Sequence, residues 1–151
     1  MSHPLQEKFS SLVGQEFYLS ERVLISQQDI NNFANATGDH QWIHLDQERA
    51  KKESPWGETV AHGFLTLALC SRLLAPAFAD MKLTQVLNYG CEKVRFPEAV
   101  RSGDEVRGRF HLLAVEPGPM GGLKLKFKAL IEIEGREKPG CAAEIVFIIF
   151  S

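Results

Sequence analysis

A chain of 151 residues, 44% hydrophobic and 24% charged, has one domain's length and can bury most of a core. Its net charge of -2 and pI of about 6.2 exclude a global footprint for nucleic acid or an anionic membrane surface. Cys70, Cys91 and Cys141 are widely spaced with no CxxC pair, so reduced thiols in a cytoplasmic protein are expected, Cys70 and Cys141 in the core.

In chain order, the first eleven residues are polar and lack the apolar centre of a signal peptide, and a short helix is expected over Gln6 to Leu12. Glu16 to Leu19 reads as a brief strand. Ser26 and Asp29 have capping-box spacing, and Ile30, Phe33, Ala34 and Thr37 follow at helical spacing, which predicts a helix over Gln27 to Thr37 stopped at Gly38. Residues 39 to 46 then crowd Asp39, His40, His44 and Asp46 into one stretch expected to be a loop. Gln47 to Glu53 is a charged helical turn, broken by Ser54-Pro55-Trp56-Gly57. Gly63 to Ala75, ended by Pro76, is apolar on nearly every face, so it belongs inside a core and needs a large partner to cover it. The run Ile145 to Phe150 is too short to span a bilayer.

From Thr84 the period changes to two. Val94 and Phe96 alternate with Lys93 and Arg95, and Val106, Gly108, Phe110 and Leu112 with Arg107, Arg109 and His111. Leu123 to Glu134 alternates with Leu130 as its one exception. Cys141 to Phe150 reads as a strand covered on both faces. Turn clusters at Pro117–Gly122 and Gly135–Gly140 imply antiparallel neighbours. Helices first and long strands after predict an α+β fold, a curved antiparallel sheet wrapped around one central buried helix in a single domain over 1–151.

Asp39 and His44 are five positions apart. On a helix they would diverge by about 140°, at roughly 100° per residue. In a loop they can converge on one water or one reacting carbon and move protons. The bland alternative is that Thr37-Gly38-Asp39 only ends a helix and the histidines are polar surface. Ligand spacing does not support a metal from His40, His44 and Asp46.

Three stretches together resemble a known family. Ala36-Thr37-Gly38-Asp39 with Ile43-His44, then Ala61-His62-Gly63 opening the apolar helix, is similar to the MaoC-like dehydratases and (R)-specific enoyl-CoA hydratases. Asn88-Tyr89-Gly90 with Lys93-Val94-Arg95-Phe96-Pro97 resembles the nodulation protein N-like branch. The likeness covers roughly residues 15 to 150.

It implies a hot-dog fold, a homodimer or dimer of dimers, no cofactor or metal, and an acyl-CoA or acyl-carrier-protein thioester as substrate. The implied reaction is reversible addition of water to a 2-enoyl thioester to give an (R)-3-hydroxyacyl product. By resemblance the catalytic groups are Asp39, His44 and the backbone N–H of Gly63, with Asn35, His62, Asn88 and Tyr89 near substrate. Many relatives carry Asn-Pro where this chain has Gln41-Trp42, so the bulk of Trp42 implies a different loop path or pocket width.

Residue by residue, alternatives stand beside these roles. Gly63 can serve a tight turn, His62 can cap its helix, and Asn88 and Tyr89 can form a strand-end turn. Ser71 can bond back to its own helix or face the site. Lys124, Lys126 and Lys128 read as a solvated sheet face. A hot-dog thioesterase and a non-catalytic acyl-CoA-binding subunit are the competing functions.

Overall fold

The Ser26 hydroxyl accepts from the Asp29 amide while the Asp29 carboxylate accepts from the Ser26 amide, so the expected capping box starts the longest helix before the core. The computed structural model describes residues 2–151. Helix α1 spans Gln6–Ser10, followed by strands β1 (Glu16–Leu19) and β2 (Val23–Leu24), then helices α2 (Gln27–Thr37), α3 (Trp42–Leu45), α4 (Gln47–Glu53) and α5 (Gly63–Leu74). A 3-10 turn over Ala75–Phe78 prolongs α5 before strands β3 (Gln85–Arg95), β4 (Glu105–Pro117), β5 (Leu123–Ile133) and β6 (Cys141–Phe150). The bounds of β1, α2 and α4 match those expected from capping and periodicity.

The strands form one antiparallel sheet in the order β1-β4-β5-β6-β3, with β2 also on β4. The two-residue period decides its faces. Val106, Phe110 and Leu112 of β4 and Leu123, Leu125, Phe127, Ala129 and Ile131 of β5 are wholly buried. Between them, Arg107, Arg109, Lys124, Lys126 and Glu132 point to the other side and pair there, Arg107 with Glu132 at 2.9 Å and Lys124 with Glu116 at 2.7 Å. The sheet curves around α5, the hot-dog architecture. Leu69, Cys70, Leu73 and Leu74 bury one side of α5 against β4, β5 and β6. Burial raises the Cys70 and Cys141 thiols to about 12 and about 11, which keeps them protonated and unreactive.

Two features depart from the periodic reading. Only one side of α5 is covered: Ala68, Ser71 and Arg72 are exposed and Phe64 is 71% exposed. Strand β3 is the second. It pairs with β6 alone, and nearly all of it is exposed. Its alternation fails at Lys93, which takes a left-handed φ of 52° at a register shift between Glu92 and Arg95. A bulge there bends the strand, and Phe96 leaves it to lie across Gly63.

Candidate active site

The first site residue is delivered by a helix stop. Gly38 takes φ 81° and its amide donates to the Ala34 carbonyl at 2.8 Å, a left-handed ending that a side chain would strain. Asp39 follows, half-buried, and its amide reaches only the Thr37 hydroxyl at 3.4 Å. The loop expected beyond it is shorter than the sequence implied. At Gln41 the chain is extended (φ -56°, ψ 142°), and from Trp42 it forms the single turn α3, which carries His44. Trp42 therefore holds the first helical position, where a proline is also at home. The Trp42 ring lies 4.0 Å beneath the Arg49 guanidinium of α4.

A strap formed by residues 59 to 62 holds the second half. The Ala61 amide donates to the Val100 carbonyl at 2.7 Å, the Ser102 amide to Thr59 at 3.0 Å, and the Val60 amide to Ile43 at 3.0 Å. Gln27 of α2 ties the two halves: its Nε2 donates to the His44 carbonyl at 2.8 Å, and its Oε1 accepts from the Thr59 hydroxyl.

Within this frame His44, 6% exposed, donates from Nδ1 to the Val60 carbonyl at 2.6 Å. A carbonyl only accepts, so Nδ1 carries the hydrogen and Nε2 keeps its lone pair. Burial is the largest influence on this imidazole and lowers its pKa. The Val60 bond opposes the shift, His62 adds to it, and Asp39 opposes it weakly. His44 is thus a neutral base near neutrality.

His62, 3% exposed, stacks on His44 with ring centroids 3.7 Å apart and planes 22° apart. Its Nε2 donates to the Asp39 backbone carbonyl at 3.0 Å. One polar atom each of Asp39, His44 and His62 lies within 4.8 Å of the other two. Stacked imidazoles suit a metal poorly, because rings so nearly parallel cannot both aim lone pairs at an ion about 2.1 Å from each.

Gly63 is the first residue of α5, and no side chain among the described residues caps that helix, so His62 precedes it without capping it. The first amides of a helix have no partner within it. A Cβ on Gly63 would lie 2.9 Å from the Phe96 ring, so the glycine makes room for that ring to pack against the start of α5.

The other expected site residues make contacts of their own. Asn35, exposed, shares a 3.2 Å hydrogen bond with His40. Asn88 and Tyr89 sit on β3. Asn88 Oδ1 accepts from the Ser71 hydroxyl at 3.0 Å, so Ser71 does not bond back to its own helix. Ser71 is eight residues, about 12 Å, along α5 from Gly63. It lines, with Leu67, Asn88, Tyr89 and Phe147, a separate cavity of about 290 Å³. Asp46 is spent on capping α4 through the Arg49 amide at 3.0 Å. Sequence reading missed Gln27, Thr59 and the Val60 carbonyl. They act across 16 to 32 residues of chain, and no local spacing signals that.

Comparison with known proteins gives a consistent family. The family model described as the MaoC like domain matches residues 8–123. The chain is 42% identical over 137 residues to 3-hydroxyacyl-thioester dehydratase Z of Mycobacterium tuberculosis, covering 91% of this chain and 90% of that one. It is 44% identical over 142 residues to nodulation protein N of Rhizobium meliloti, covering 92% and 87%. Among solved structures it resembles a MaoC-like dehydratase from Rhodospirillum rubrum, with a TM-score of 0.72, 26% identity, and 91% and 92% of the two chains covered.

Proposed function

The chain belongs to the MaoC-like dehydratase family and is a hydratase/dehydratase of acyl thioesters; from that premise we propose that it adds water reversibly to a 2-enoyl-CoA, or the equivalent acyl-carrier-protein thioester, using Asp39 and His44. The product is taken as the (R)-3-hydroxyacyl thioester on the family resemblance. One observation carries the assignment of roles. The Asp39 carboxylate and the buried, neutral His44 imidazole each hold a polar atom within 4.8 Å of the other and of His62, the residue before the side-chain-uncapped start of α5.

The chemistry asks for what these groups supply. In hydration a water gives one proton to the pair as its oxygen bonds to the β-carbon. The π electrons shift toward the thioester, whose oxygen carries transient negative charge, and the pair returns a proton to the α-carbon. Dehydration runs the same steps backwards. His44 Nε2 accepts a hydrogen bond or proton, and Asp39 holds the other side of the water, so the two act as a unit. The Gly63 amide, where the helix dipole adds positive potential, serves as the oxyanion donor.

We also assign the chain to a homodimer. Val86, Leu87 and Tyr89, 61% exposed, leave a long, partly apolar edge on β3, and the adjoining side of α5 is uncovered. A second copy pairing β3 to β3 would satisfy that edge and close the Asn88–Tyr89 cavity from outside.

The test is to add the purified protein to crotonyl-CoA and follow loss of the conjugated enoyl absorbance. Loss without release of free thiol is the expected result. Thiol release would make the protein a thioesterase, and tight binding with neither reaction would make it a binding subunit.

A further inference from the structure

We propose that His62 is a positioning residue that acts through both members of the pair, clipping the Asp39 backbone and pressing on the face of His44. The inference rests on the Asp39/His44 reading. Asp39 lies between a left-handed glycine and an extended glutamine, and its own amide has one long bond. The short, direct restraint on it is the 3.0 Å bond from His62 Nε2 to its carbonyl. His44 is tied at Nδ1 by a single bond to Val60, which leaves its ring free to pivot about that axis. The His62 ring, stacked 3.7 Å away, removes the freedom. His62 is itself held: Phe33 of α2 packs on it at 4.9 Å, and its backbone opens α5. Three elements therefore meet on this one side chain.

A histidine that served packing alone would be a poor choice here. Its Nδ1 is buried and has no hydrogen-bond partner among the described residues, a cost that a phenyl ring of similar shape avoids. The polar ring is explained by the bond it donates to Asp39. Small errors in placing acid–base groups are costly, a displacement of about 1 Å being worth up to about 10²-fold in rate.

Two variants separate the two contacts. His62→Phe keeps the ring between Phe33 and His44 but loses the donor; His62→Asn keeps a donor and loses the stack. In each, kcat for crotonyl-CoA hydration is expected to fall by about tenfold or more while KM changes by less than about twofold. Added to Asp39→Asn, His62→Phe should bring little further loss, because its donor acts through Asp39.

A second readout needs no substrate. The charges bearing on His44 are those of Asp39 and His62, so His62→Phe should raise the midpoint of the His44 titration followed by imidazole NMR. Should one variant not fold, the other carries the kinetic test, and a His62→Gln protein replaces the missing member. Wild-type kcat and an unmoved His44 titration in a folded His62→Phe protein would overturn the proposal. Wild-type protein without hydratase turnover would instead sink the Asp39/His44 reading, and the NMR titration would still decide whether His62 positions His44.

Discussion

His44 shows how one residue is prepared by others far away in sequence. Val60 selects its tautomer, burial keeps it uncharged, and Gln27 fixes its backbone. This has a signed consequence for stability. Above the ordinary imidazole value of 6.5 the folded and unfolded chains both carry neutral His44, and the group adds no pH dependence. As the pH falls below 6.5, the unfolded chain takes up a proton that the folded site resists, so the folded state is progressively destabilised. Urea unfolding at stepped pH should show that His44→Gln flattens this decline relative to wild type, and an unchanged slope would place the acid sensitivity elsewhere. The same lowered pKa predicts that the acid limb of kcat/KM lies below the usual histidine range.

At the scale of elements, α2 is a delivery device. Its capping box sets the start, Gly38 sets the end, and the eleven residues between place Asp39. Ser26→Ala should cost about 1 kcal/mol in denaturant midpoint experiments, with kcat affected far less than by any change at Asp39. A loss of activity larger than the loss of stability would mean that the cap also positions the site. The elements whose order was legible from sequence are those with local causes: α2 from its cap, β4 and β5 from strict alternation, and α4 from its charge and the break at Pro55. What stayed illegible depends on distant partners. Nothing near Trp42 announces α3, since Pro-like use of the first helical position is invisible in an Asn-Pro replacement. The bulge at Lys93 hides inside an apparently regular alternation and turns Phe96 onto Gly63. Asp39, His44, His62 and Gly63 were all named from a motif, but the contacts of His62 with His44 and with the Asp39 carbonyl came only from the fold.

For the molecule as a whole, the all-round apolar character of α5 was expected to be met by its own sheet, and the structure meets half of that demand. The uncovered half adjoins the unpaired edge of β3, so one added copy answers both. Light scattering should give the mass of a dimer or dimer of dimers. Leu87→Glu and Tyr89→Lys together should shift it toward monomer and lower activity without altering α2 or the Asp39 loop. A wild-type monomer with full turnover would contradict this assembly. No helix among the described residues is long and apolar enough to cross a membrane.

Asp39 and His44 are proposed to work as one proton-transferring unit, and a double-mutant cycle reads that most directly. Asp39→Asn, His44→Ala and the combined variant are compared in crotonyl-CoA hydration, with folding checked by melting. Each single change is expected to lower kcat by about 10²-fold or more, and the pair together scarcely further, because either loss disables the unit. Full activity in either folded single variant, or losses that multiply in the double, would contradict it.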